Sequence, residues 1–147
     1  MFKHILVATD GTRFSLKAVK TAVGLAAKLN AKLSAVHVLP ATAYDFVGDV
    51  VSTRLISPAE ARQREARVAK TVFRALNTLS AAARVKAQAT VVTSDDVHDS
   101  IIAAAKKSRC DLIVMASHGR RGLTGLLLGS ETHKVVTHSK IPVLVCR

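Results

Sequence analysis

The sequence predicts an α/β protein, an open doubly wound sandwich whose five-stranded, mostly parallel sheet carries helices on both faces. Three observations predict it. Strand patterns alternate with helix patterns along the chain. Several strand segments are near-continuously apolar, as strands buried on both faces must be. The 147 residues fit one domain, 1–147, large enough for a real core. Apolar residues make up 49% and charged residues 22%, a balance that excludes disordered, collagen-like and low-complexity chains.

Lys3 to Ala8 is a short apolar run ending at Thr9-Asp10-Gly11-Thr12, and it reads as a buried strand followed by a turn. A helix follows: Phe14, Ala18, Ala22, Leu25, Ala26 and Leu29 recur at spacings of three and four with Lys17, Lys20 and Lys28 between them, and Asn30 closes it. Lys32 to Leu39 is a second strand, stopped by Pro40, which has no amide to continue a ladder. Residues 41–56 show no clear period and are expected to form a long loop. Ser57-Pro58-Ala59-Glu60 combines a capping box with a proline at the first helical position, and the helix it opens is expected to reach about Ala82. Val85 to Val92 is a third strand, with Thr93-Ser94-Asp95 as the cap of a helix bearing Val97, Ile101, Ile102 and Ala105. Asp111 to Ala116 is a fourth strand. A glycine-bearing segment from Gly119 to Gly129 leads into a short helix ending near His138, and Pro142 to Cys146 is the fifth strand.

The 22 Lys and Arg outnumber the 10 Asp and Glu by 12, which favours anionic partners without selecting one. Five aromatics, four Phe and one Tyr with no Trp, disfavour a base-stacking surface. The run Arg62, Arg64, Arg67, Lys70 and Arg74 is explained by a solvated helix face, so nucleic acid is not an expected partner. Cys110 and Cys146 form no C-x-x-C pair and fall in or beside apolar runs, where buried inert thiols are expected. No apolar run approaches the ~20 residues that cross a bilayer, and a cytoplasmic location is expected.

In a sheet of this kind ligands bind outside the carboxyl ends of strands, where the strand order reverses. After the first strand comes Ala8-Thr9-Asp10-Gly11; after the fourth comes Met115-Ala116-Ser117-His118-Gly119, then Arg120 and Arg121, and finally Gly129-Ser130 opening a helix. Glycines let amides turn toward an anion, and the helix start adds unpaired amides and a positive end, so a phosphate suits this segment. Ser130 and Thr132 add hydroxyl donors. His118 reads as a residue that orients the loop, and Asp10 as either a ligand or a turn residue. His133 and His138 are five apart, a poor fit to metal ligands on one helical face, and Asp95, Asp96 and Asp99 suit the first turn of a helix without any ion.

Over nearly its whole length the chain resembles the universal stress protein family, whose nucleotide-binding branch carries Gly-x2-Gly-x9-Gly-Ser/Thr after the fourth strand. The similar positions are Ala116-x2-Gly119-x9-Gly129-Ser130, flanked by Asp111-Leu112-Ile113-Val114-Met115 and Pro142-Val143-Leu144-Val145. Two departures stand out. Ala116 replaces the first glycine and sets a methyl toward the ribose or first phosphate, and Thr93-Ser94-Asp95-Asp96 lacks the glycine that follows the third strand. The resemblance implies an adenine nucleotide, ATP, ADP or AMP, with or without Mg2+. It implies that Ala8, Thr9 and Asp10 form one wall, Asp10 lying near the ribose or a metal-bound phosphate, and that Val38 holds the adenine through its backbone. It further implies that Met115, Ala116, His118 and Gly119 line the ribose and first phosphate, and that Gly129, Ser130, Glu131 and Thr132 surround the outer phosphates. A homodimer through the last strand, Ile141 to Val145, is also implied, and an exposed apolar edge is a reason of its own to expect a partner.

The function expected from these readings is a nucleotide-binding stress-response or signalling switch that acts on a partner protein and needs no catalytic residue. There is no Walker sequence and no evident general base for water, which leaves at most a slow ATPase. Two alternatives stand beside it: a dimeric stress protein without nucleotide, for which Ala116 is the argument, and a small phosphotransfer enzyme, which would need more acids than Asp10 at the strand ends.

Overall fold

The structure, a computed structural model, describes residues 1–41, 43–47, 50–54, 57–118 and 128–147, with backbone alone for 43–47 and 50–54. In chain order the elements are β1 (His4–Ala8), α1 (Arg13–Leu29), β2 (Lys32–Leu39), β3 (Ala43–Val47), β4 (Val50–Arg54), α2 (Pro58–Val72), α3 (Arg74–Ala82), β5 (Ala87–Thr93), α4 (Val97–Lys107), β6 (Leu112–Ala116), α5 (Ser130–His138) and β7 (Val143–Cys146).

Five strands form a sheet in the order β5-β2-β1-β6-β7, and every pairing in it is parallel. Its central strands are apolar because both faces are covered. Ile5, Val7, Leu33, Ala35, Leu112 and Val114 point to the side packed by α1, Val72, Phe73 and Leu76. Leu6, Val36, Ile113 and Met115 point the other way, against Ile101, Ile102 and Ala105 of α4 and Val135 of α5. This is the doubly wound sandwich expected from the sequence.

Helix ends follow their local chemistry. Thr12 caps α1 through Ser15 N, and Asn30 closes it in the left-handed region at φ 50°. At α2 both halves of the capping box are present: Glu60 N donates to Ser57 Oγ (3.2 Å), and Ser57 N donates to Glu60 Oε2 (2.8 Å).

Three expectations need correction. The helix expected from 57 to about 82 is two helices, interrupted at Phe73, whose ψ is 5° and whose side chain is 3% exposed. Thr71, Val72 and Phe73 are consecutive poor helix formers with restricted side chains, which favours the interruption there, and Val72, Phe73 and Leu76 all lie in the core. Residues 41–56, expected as a loop, contain an antiparallel hairpin of β3 and β4; Tyr44, Phe46, Val47, Val50, Val51 and Thr53 are strand-forming types on either side of Gly48-Asp49. Thr93-Ser94-Asp95 does not cap α4. Thr93 ends β5 and donates to Glu65, Asp95 Oδ1 accepts from Ala41 N (3.0 Å), and the cap position is Asp96.

Candidate functional site at the strand switch

The chain runs from β1 outward to β2 and β5, then returns to the other side of β1 with β6 and β7. The order therefore reverses between β1 and β6, and the crevice beyond their carboxyl ends is where such sheets take ligands. Pairing of Val7 with Val114, and of Ala8 with Val36, brings Ala8–Asp10, Met115–His118 and the end of β2 with Val38 to one edge. The start of α5 joins them there. Gly119 and the arginines Arg120 and Arg121 lie outside the described residues.

On the β1 side Thr9 is buried and fully engaged. Its amide donates to Val36 O (3.0 Å), its Oγ1 meets Ser15 Oγ (2.9 Å) and accepts from Gly11 N (3.2 Å), and its carbonyl lies 2.9 Å from His37 Nδ1. Asp10 Oδ1 accepts from both Thr12 N (3.0 Å) and Thr12 Oγ1 (2.6 Å), so this carboxylate holds the turn that starts α1. Gly11 sits at φ 75°, and a Cβ there would lie 3.0 Å from Val72 Cα, so both conformation and space call for glycine.

On the β6 side Met115 and Ala116 are buried, 6% and 8% exposed. Ala116 belongs to the core shared with Val7, Val114 and α1. Its carbonyl accepts from Thr132 Oγ1 (2.9 Å), while Gly129 N donates to Ser117 O (2.7 Å), and these two bonds staple the first turn of α5 to the end of β6. A Cβ on Gly129 would stand 3.0 Å from that same Ser117 oxygen. His118 Nδ1 is 3.0 Å from Ser117 Oγ, consistent with a loop-orienting role. Ser130, the first residue of α5, is exposed.

Glu131 was expected near phosphate, yet its carboxylate accepts from His98 N (3.1 Å) through Oε2 and from Lys134 Nζ (3.0 Å) through Oε1. It thereby neutralises the positive end of α4 and ties α4 to α5. His98 Nδ1 approaches Asp96 Oδ1 (2.9 Å) and Glu131 Oε2 (3.7 Å) on the same seam. Thr132, also expected near phosphate, spends its hydroxyl on Ala116 O.

Sequence reasoning missed His37 and His98. A lone histidine inside an apolar strand and one in the first turn of a helix carry no spacing signal, and only the assembled sheet brings them to their partners. A cavity of about 110 Å3 lies between the β1 loop (Thr9, Gly11 and Thr12), the start of α1 and the α2–α3 junction at Thr71, Val72 and Arg74. No residue of β6 or α5 lines it, and it is too small for a nucleotide.

Burial, helped by the Asp111 charge, raises the Cys110 thiol to about 11, so Cys110 is the inert thiol the sequence suggested. Among the described residues no helix is long and apolar enough to cross a membrane.

The family model for the universal stress protein family matches residues 1–147. Universal stress protein YxiE of Bacillus subtilis is 34% identical over 151 residues, covering all of both chains. A universal stress protein of Methanocaldococcus jannaschii is 29% identical over 147 residues, all of this chain and 83% of the relative. Among solved structures, a universal stress protein in complex with cAMP superposes with a TM-score of 0.71 at 25% identity, covering 99% of this chain and 97% of that one. A universal stress protein from Archaeoglobus fulgidus superposes with a TM-score of 0.72 over the whole of both chains; at 18% identity it speaks to the fold alone.

Proposed function

The chain belongs to the universal stress protein family, and from that premise we propose that it binds an adenine nucleotide where β1, β6 and α5 converge and works as a binding switch. The observation that carries this reading is the convergence itself. A strand-order reversal, a conformationally locked loop after β1 and the first turn of a helix stapled to β6 meet at one edge of the sheet. The donor set suits a nucleotide's phosphate. Ser130 offers an exposed hydroxyl, the start of α5 offers the positive end of a helix, and Gly129 lets that helix start sit against Ser117 O, where a Cβ would stand only 3.0 Å away. The likeness to a relative complexed with cAMP supports adenine as the base.

Catalysis is not part of the proposal. The polar side chains at these strand ends hold the backbone: Thr9 and Thr12 fix the β1 loop, Asp10 accepts from Thr12, Thr132 anchors to Ala116 and Glu131 joins two helices. Such a site binds and orders rather than turns over. We further propose that two copies pair along β7, an edge strand on which Leu144 is 37% exposed. Nucleotide occupancy would then be passed to a protein partner through this pair.

The test is to denature protein purified without added ligand, identify released nucleotide by chromatography, and titrate ATP, AMP and cAMP, with and without magnesium, into the emptied protein. Stoichiometric release, or saturable binding at cellular concentrations, is expected. Neither release nor binding would overturn the reading and leave the nucleotide-free dimer in its place. The packing of Ala116 into the core on the α1 side argues against its methyl as the obstacle.

A further inference from the structure

We propose that His37 is a positioning residue for the nucleotide site, fixing through its ring the peptide between Thr9 and Asp10. The inference rests on the proposed site, but its structural half can be tested without any nucleotide. His37 is 4% exposed, near the end of β2 and immediately before Val38. The last β1–β2 bond of the ladder runs from Thr9 N to Val36 O, and beyond it the strands are joined by a side chain, His37 Nδ1 to Thr9 O at 2.9 Å.

A carbonyl oxygen only accepts, so the bond requires the proton on Nδ1. That proton is retained if the ring becomes doubly protonated, so the clamp does not depend on the charge of His37. Thr9 is thus held at its amide, its hydroxyl and its carbonyl at once. The carbonyl is half of the peptide that leads into Asp10, and its orientation sets the direction of the following turn. That turn is the one in which Gly11 adopts φ 75° and Thr12 N reaches Asp10 Oδ1. One side chain therefore joins the strand carrying Val38 to the loop carrying Thr9 and Asp10. No other donor among the residues described takes the Thr9 carbonyl.

Asparagine supplies the decisive variant. Its amide nitrogen is attached at Cγ, as Nδ1 is, and so reaches the same carbonyl, whereas leucine fills space without a donor. His37→Asn should keep nucleotide affinity within about threefold of the original, and His37→Leu should lose about tenfold or more, the usual consequence of orphaning a buried carbonyl and freeing a binding loop. Amide exchange at Gly11 and Thr12, measured without nucleotide, should quicken about tenfold in His37→Leu and remain near the original in His37→Asn. Nitrogen NMR of the unsubstituted protein should show Nδ1 protonated. Equal loss of affinity in both variants, or unchanged loop exchange in His37→Leu, would overturn the proposal. An Nε2-only tautomer would overturn it as well, and this result stands even if the leucine variant fails to fold. Should the unsubstituted protein bind no adenine nucleotide, the proposed function falls while exchange and tautomer still decide whether His37 clamps the loop.

Discussion

The same chemical change at two glycines should move stability in opposite directions. At Gly11 an alanine meets two separate costs. Its φ of 75° is a left-handed conformation, which for a side chain with a Cβ costs about 1–2 kcal/mol. The new methyl would also stand 3.0 Å from Val72 Cα and 3.2 Å from its Cγ2. The nearest atom is backbone at the end of α2, where the chain already breaks at Phe73, so relief requires moving a helix end, an overpacking cost of about 1–3 kcal/mol. Together Gly11→Ala should destabilise by about 2–5 kcal/mol, or roughly 5–15 °C in Tm for a chain of this size. At Gly24, inside α1, a Cβ meets nothing within 4 Å, and alanine there should stabilise by about 0.5–1 kcal/mol through helix propensity. Urea denaturation of both variants against the parent, with the slope m unchanged, is the assay. A loss under about 1 kcal/mol at Gly11, or any loss at Gly24, would refute the argument from the φ angle and Val72.

Ala116→Gly should lower stability by about 1 kcal/mol, because a packed methyl is removed and the strand backbone loosened, while nucleotide affinity changes less than threefold; tighter binding by tenfold would instead reveal the methyl as an obstacle. Cys110, with its thiol raised to about 11, should be about a thousandth thiolate at pH 8 and be alkylated only on unfolding, which mass spectrometry of native and urea-treated protein will show. Asp111 accepts from Lys3 N (2.7 Å) and His4 N (3.0 Å), and although burial pushes its carboxyl up, these backbone bonds hold it below the ordinary value. A lowered folded value stabilises above the unfolded pKa and is lost as pH falls through the folded one; Asp111→Ala should therefore cost about 1 kcal/mol near pH 7 and progressively less below about pH 4, as thermal melts across pH will show.

Where a local rule acts alone, the sequence was easy to read. Ser57 and Glu60 form their capping box, Asn30 closes α1 and Pro40 follows the end of β2, because each needs only near neighbours. Where residues have competing partners it was not. Ser94 and Asp95 look like helix caps, but Ser94 Oγ takes Asp96 N and Asp95 takes the amide of Ala41, 54 residues away. Phe73 falls on the same helical face as Val72 and Leu76, so the apolar pattern alone carries no sign of the break there. Among candidate site residues, the positions Ala8, Thr9, Asp10, Met115, Ala116 and Gly129 were legible from strand ends. The duties of Glu131 and Thr132 were not, since helix α4 and the Ala116 carbonyl reach them only after the sheet is assembled.

The strand order also sets a timetable for the nascent chain. β1 is made early and finds β2 soon after, but its other edge is closed by β6, whose partner for Val7 is Val114. At a synthesis rate of ~5–20 residues per second, roughly 5–20 s separate the two. Throughout that interval Ile5, Leu6 and Val7, each at most 1% exposed in the finished fold, border an open backbone edge. A segment wholly buried in the mature protein is thus the strand left waiting longest on the ribosome, and chaperone demand should be greatest before residue 116 emerges.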